Sequence, residues 1–127
     1  GDGKVCLRPS GSVQGVCPKG WHLPDSTDWS TLFAAVGGRS FSGKSLKSTS
    51  GWKRDSSTNA FGFSVLPAGL KQTEDWYAYM DIYSYISSSM EQDSGWVRSA
   101  YFDYTRDGVS YQSVAKNNGA SVRCLKD

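Results

Sequence analysis

The chain offers few side chains for covalent or metal chemistry. His22 is its single histidine, so a Ser-His-Asp triad or a zinc site would have to be built on it. It stands between Trp21 and Leu23 in a proline-flanked segment, with no second histidine for a metal. A hydrogen-bonded or surface imidazole is the simpler reading. The three cysteines, Cys6, Cys17 and Cys124, allow a reactive thiol, or a disulfide with one sulfur left over. In the run Ser121-Val122-Arg123-Cys124-Leu125, Val122 and Cys124 share one face of a strand. That setting suits a buried half-cystine better than a nucleophile. Spacing leaves two pairings open: Cys17–Cys124, which would close most of the chain, and Cys6–Cys17, a short local loop. The carboxylates Asp81, Glu91, Asp93, Asp103 and Asp107 have the oxygen chemistry that calcium needs, but no D-x-D-x-D-G loop organises them. Solvated loop acids are the simpler reading, and no metal or other cofactor is expected. Phosphate loops, GxGxxG fingerprints, nucleophile elbows and HExxH helices are all missing from the sequence, and the chain is expected not to be an enzyme.

Aromatic side chains carry the stronger signal, with five Trp and seven Tyr. Trp76, Tyr77, Tyr79, Trp96, Tyr101, Tyr104 and Tyr111 form the candidate ligand-binding set. Tyr and Trp give large, stiff contact area with a polar handle, which suits them to binding surfaces and to stacking on sugars. The competing reading is that half of them fill a β-rich core. Trp76, Tyr77 and Tyr79 stand out because residues 71–82 read as a loop, and loops lie at the surface.

The elements that must position these residues are legible in part. Trp29, Leu32, Phe33 and Val36 recur at helical spacing on one face. Asp25 is the expected N-cap, with Asp28 three residues on in place of the usual Glu or Gln of a capping box. Gly37 and Gly38 end the helix. Before it, Pro18, Gly20 and Pro24 make residues 17–24 a rigid lead-in whose Trp21 is expected to be buried. Leu46 and Trp52 are the expected anchors of 39–52, with a short helical turn around Lys44 to Lys47. Residues 53–60 read as a polar loop, and Phe61 to Leu70 as a buried segment in which Phe61, Phe63 and Val65 alternate. From Tyr83 onward the pattern is strand and turn: Tyr83 to Ser88, Val97 to Tyr104, an Asp107-Gly108 turn, Val109 to Val114, an Asn118-Gly119 turn, and a last strand from Ala120 to Leu125. A helix early and an antiparallel meander late predict an α+β fold.

Composition narrows the function classes. One domain of 127 residues is large enough for a real core. Residues 1–16 read as an irregular lead-in, pinned through Val5, Cys6, Val13 and Val16, and 17–127 as the core. Charged residues are 20% with a net charge of +2, too balanced to argue for nucleic acid or an anionic membrane surface. No apolar run approaches bilayer length, so no membrane insertion is expected. Serine, glycine and aromatic richness together with cysteines point to an extracellular or cell-surface domain. The chain opens at Gly1 with no signal-like segment, which reads as a mature or excised fragment.

The blocks CPKGWHLPDSTDWSTLFAAVGG, GKSLKSTSGW, NAFGFSVLPAGL, YSYISSSME and SVRCLKD, in this order from Cys17 to Asp127, resemble the Fibrobacter succinogenes major paralogous domain. The resemblance implies a C-type-lectin-like fold with one main helix and a bacterial surface or secreted module. It favours Cys17–Cys124 as the disulfide, and it implies that Cys6 has lost a partner from upstream sequence absent here. Ser87 and Ala120 depart from the family's larger side chains at those positions. Glu-Pro-Asn and Trp-Asn-Asp motifs of calcium-dependent sugar binders are missing from the chain. What the resemblance implies for function is a monomeric, non-catalytic binding or adhesion module with a glycan or protein ligand. The GWHLPDSTDW block is also reminiscent of formylglycine-generating-enzyme-like proteins, so a thiol enzyme is one alternative, and a passive spacer is another.

Overall fold

The computed structural model describes residues 14–54, 56–73 and 76–127; Val5, Cys6 and Val13 lie outside them. Two helices come early and antiparallel strands follow, the α+β arrangement predicted above. Strand β1 (Trp21–His22) leads into helix α1 (Ser26–Ala35). Asp25 caps α1: its Oδ1 accepts from Asp28 N at 2.8 Å, while Asp28 Oδ2 accepts from Asp25 N at 3.1 Å. The capping box therefore closes with Asp in the Glu position, satisfying two N-terminal donors reciprocally. Trp29, Phe33 and Val36 are buried, and Gly37 and Gly38 adopt positive φ at the helix end.

Helix α2 (Arg39–Leu46) follows after a two-glycine link. The expectation there was a single turn; the chain instead forms eight residues of helix. Tertiary contact explains the difference. Gly43 has no Cβ, so the backbone oxygens of Asp107 and Gly108 approach to 2.7 Å of where one would sit. Lys44 N donates to Asp107 O at 2.9 Å. Packing against this distant turn stabilises a helix of weak propensity. Leu46 and Trp52 are buried, as expected.

The hairpin β2 (Leu70–Thr73) and β3 (Trp76–Ala78) replaces the predicted loop over 71–82. The main sheet is β4 (Tyr83–Asp93), β5 (Trp96–Asp103) and β6 (Val109–Ala115), antiparallel in the order β4-β5-β6. One face carries Ile86, Ala100, Phe102 and Val109 into a core shared with Trp29, Phe33, Leu46, Trp52 and Val65.

Four expectations need correction. Trp21 is 39% exposed, because its two-residue strand pairs only with β7 (Leu125–Lys126) at the surface. Val16 is exposed too, and so pins nothing. Phe61 to Val65 forms no strand: Phe61 is 62% exposed, Phe63 packs partly buried against the core, and Val65 is fully inserted, bridging to Lys47. The alternation there was real, but no neighbouring strand lies beside it to accept the ladder. Finally, Ala120 to Leu125 does not extend the meander beyond β6. Ser121 bridges in parallel to Ile86 on the other edge of β4, and Leu125 then pairs with His22. A disulfide joins Cys17 to Cys124, with Cα atoms 5.8 Å apart. No helix among the described residues is long and apolar enough to cross a membrane.

Candidate functional site

Successive strand residues face opposite sides, so Tyr83, Tyr85, Tyr101 and Asp103 project from the sheet face opposite the helices. Tyr85 stands directly across from Tyr101, and Tyr83 across from Asp103. The ring centroids lie 5.3 Å apart for Tyr85–Tyr101 and 5.2 Å for Tyr83–Tyr101. Tyr79 joins from the turn after β3, 5.3 Å from Tyr83 and 6.4 Å from Tyr85. These separations fall in the range of favourable aromatic pairs.

Tyr79 reaches its place through unusual backbone. Its φ is 64° and that of Asp81 is 71°, a conformation that costs a bulky residue about 1–3 kcal/mol. The surroundings hold it there. Tyr79 O accepts from Tyr83 N at 3.0 Å, Asp81 N donates to Pro67 O at 3.0 Å, and Lys53 N donates to Asp81 O at 2.8 Å. Gly69 lies beneath: a Cβ on it would sit 2.1 Å from Ala78 O. The bare glycine is what lets the turn settle onto the sheet.

Both central phenols are held protonated. Burial, with the neighbouring Tyr79 second, pushes Tyr85 up to about 12. Burial and then the Asp103 carboxylate push Tyr101 well above the usual phenol range. The Tyr101 hydroxyl donates to Asp103 Oδ2 at 3.2 Å. Asp103 Oδ1 accepts from Thr105 N and Thr105 Oγ1, both at 2.8 Å.

Beside Tyr101 opens a cleft of about 270 Å³, lined by Arg39, Ser40, Tyr101, Asp103, Arg106 and Ser110 among others. Arg39 donates through Nε to Val109 O at 2.8 Å, and its guanidinium lies 5.0 Å over the Tyr111 ring. Arg106 Nε stands 3.9 Å from Asp103 Oδ2, with its side chain 70% exposed. The wall behind is fixed by Lys47, whose buried ammonium donates to Asp103 O at 2.8 Å and Arg106 O at 2.9 Å. Burial lowers its pKa, opposed by the charges of Asp107 and Asp103. Its charge lies 5.1 Å from the Trp52 ring. The arrangement presents a stiff aromatic face, neutral hydroxyl donors, and two guanidiniums at its margin.

The predicted aromatics divide. Tyr79 and Tyr101 belong to this face. Trp76 and Tyr77 are exposed on β3, with the Lys71 ammonium 5.6 Å over the Tyr77 ring. Trp96 is exposed at the far end of β5, about 17 Å along the strand from Tyr101 at about 3.3 Å per residue. Tyr104 packs against the core and lies under Lys53. Tyr111 lies on the helix-facing side, 6.3 Å from Phe33. Sequence reasoning missed Tyr83 and Tyr85, although their period-two spacing opposite Tyr101 was the available signal. Arg39 and Arg106 gave none, being brought together only by the α2 contact with the β5–β6 turn.

His22 takes part in no site of this kind. Its Nδ1 lies 2.8 Å from Asp127 Oδ1 and its Nε2 3.1 Å from Asp28 Oδ2. Of the acids expected in loops, Glu91 and Asp93 lie instead on β4, where Glu91 pairs with Lys116 and Asp93 Oδ1 accepts from Gly95 N.

The family model of the Fibrobacter succinogenes major domain matches residues 9–126. No curated protein and no solved structure gives a significant match. With all but its first eight residues and its last one covered, the chain belongs to the Fibrobacter succinogenes major domain family.

Proposed function

We propose that this domain is a non-catalytic binding or adhesion module of a bacterial surface or secreted protein, holding a glycan or protein ligand on the Tyr79–Tyr83–Tyr85–Tyr101 face. The observation that carries the reading is the four-ring contact itself, with one ring delivered by backbone in a strained conformation. Strain of this kind persists only where the surrounding structure holds it, and it clusters at functional positions. Tyrosines with two side-chain torsions offer area at low entropic cost. Their neutral hydroxyls suit hydrogen bonding to a polar ligand.

In this reading the scaffold is the C-type-lectin-like frame that the family resemblance implies, a fixed frame whose connecting segments vary. The disulfide fits an oxidising compartment outside the cytoplasm. It also counts against the thiol-enzyme alternative, because Cys17 and Cys124 are joined to each other. The isolated domain acts as a monomer in this reading. A cleft beside an aromatic face gives the binding reading more support than the passive spacer.

The test is a glycan array and a surface-protein pull-down with the native domain. Tyr85→Ala and Tyr101→Ala should each weaken capture at least tenfold, about 1.4 kcal/mol. Trp96→Ala, remote on β5, should leave it unchanged. Absence of binding to every polysaccharide and surface protein, or capture indifferent to both tyrosines, sinks the proposal.

A further inference from the structure

We propose that the ligand is an acidic glycan, with a sugar ring on the tyrosines and its uronate carboxylate drawn into the cleft between Arg39 and Arg106. The inference rests on the binding reading above and names the ligand class. Tyr101 belongs to the aromatic face and also lines the cleft, so one ligand residue can touch both. The cleft holds two guanidiniums against the single carboxylate of Asp103.

That carboxylate is already engaged. One oxygen accepts from Thr105 twice, and the other accepts from Tyr101 with Arg106 nearby. The guanidiniums are less occupied. Among the described residues, Arg39 makes its hydrogen bond through Nε alone, which leaves the two terminal nitrogens as donors. A planar fork of this kind matches a carboxylate with two parallel hydrogen bonds. The Nε bond to Val109 O and the Tyr111 ring 5.0 Å from the guanidinium restrain that fork before any ligand arrives, which lowers the ordering cost of binding. The chemistry therefore calls for a hydroxyl-bearing ring that offers C–H groups to the tyrosines, with an anion fixed beside it. A uronate residue has both. A neutral sugar uses the face but not the arginines. An acidic peptide uses the arginines but brings its carboxylates on flexible arms.

The test is calorimetric titration of the native domain with oligogalacturonate and oligomannuronate, with neutral galactose and mannose oligomers of equal length, and with oligoglutamate. At least one uronate should bind tenfold or more tighter than its neutral counterpart and than oligoglutamate. Affinity for it should fall as salt rises. Arg106→Gln, at an exposed side chain with one distant partner, should cut uronate binding about tenfold or more, the effect of losing a charge-assisted contact. It should leave the circular dichroism spectrum unaltered. Arg39→Lys keeps the charge but loses the fork, and should lower uronate affinity in the same direction. Equal binding of neutral and uronate oligomers, uronate binding indifferent to Arg106→Gln, or tighter binding of oligoglutamate overturns this inference and leaves the broader binding role standing. Failure of every glycan and protein to bind overturns both.

Discussion

Two kinds of polar group frame the candidate site, the half-buried tyrosines and the buried Lys47, and they respond to pH in opposite senses. Tyr85 is raised from 10.0 to about 12 in the folded protein, and Tyr101 is raised as well. Below pH 10 the folded and unfolded chains both hold the Tyr85 proton. Between 10 and about 12 the unfolded chain releases it and the folded chain keeps it, so stability falls as pH rises through that window. The check is an ultraviolet titration of phenolate followed alongside the unfolding signal. Tyr85 and Tyr101 should ionise only as the sheet unfolds, and Tyr85→Phe should flatten the alkaline loss. Ionisation of all seven tyrosines in one ordinary step contradicts this. Lys47 works the other way. Its pKa is lowered by burial, so the unfolded chain binds the proton more firmly, and its contribution improves as pH climbs toward 10.5. At neutral pH its value lies in the two carbonyls it satisfies, Asp103 O and Arg106 O. Lys47→Met keeps the apolar stem and orphans both acceptors. It should cost about 1–3 kcal/mol for each that stays dry. An unshifted urea midpoint would show that water reaches them instead.

At the scale of elements, the turn after β3, which rests on Gly69, is the piece on which the aromatic face depends. A methyl group at Gly69 meets Ala78 O at 2.1 Å and Met80 N at 2.8 Å, at a φ of +67°. Gly69→Ala must therefore move the turn that carries Tyr79. Overpacking and backbone strain together predict a loss of about 1–3 kcal/mol, accompanied by a weaker near-ultraviolet tyrosine signal. A variant with wild-type stability and spectrum would mean that the turn does not rest on this contact. The same place marks the limit of what the sequence conveys. Helix α1 was legible because its signals are local: cap, apolar face and terminal glycines all lie within residues 25–38. The strands β4, β5 and β6 were legible through alternation and the Asp107-Gly108 turn. Helix α2 was underestimated because its support comes from backbone atoms of Asp107 and Gly108, far along the chain. Hairpin β2–β3 read as a loop because Glu74 and Asp75 interrupt its alternation. Phe61 to Val65 read as a strand because alternation says nothing about whether a partner lies alongside. For the site, Tyr79 and Tyr101 were singled out by residue type alone. The cleft arginines come together only through tertiary contact, so no local pattern could have announced them.

On the scale of the whole molecule, the last residues return to the entry of α1 by three routes. Cys124 is bonded to Cys17, Leu125 and Lys126 pair with His22 and Trp21, and His22 lies between Asp28 and Asp127. Upstream, Ser121 is anchored separately, accepting from Ser87 N and donating to Tyr85 O. The covalent link spans 107 residues of sequence, so it restricts nearly the whole unfolded chain. In the chain-entropy account a loop of that size stabilises by about 4–5 kcal/mol, and native disulfides removed from small domains cost about 2–5 kcal/mol. Reduction, or the paired change Cys17→Ser with Cys124→Ser, should therefore lower the urea midpoint substantially. The tyrosine face should survive where the domain remains folded, because its rings are set by the β4–β5 register and the Gly69 turn rather than by the tail. Near-ultraviolet circular dichroism below the unfolding transition should accordingly match that of the oxidised protein, while amide exchange at Leu125 and Lys126 should accelerate. A reduced domain of undiminished stability would mean that the tail is held by its strand pairing and by His22 alone. Loss of the tyrosine signal before unfolding would instead tie the tyrosine face to the tail rather than to the β4–β5 register.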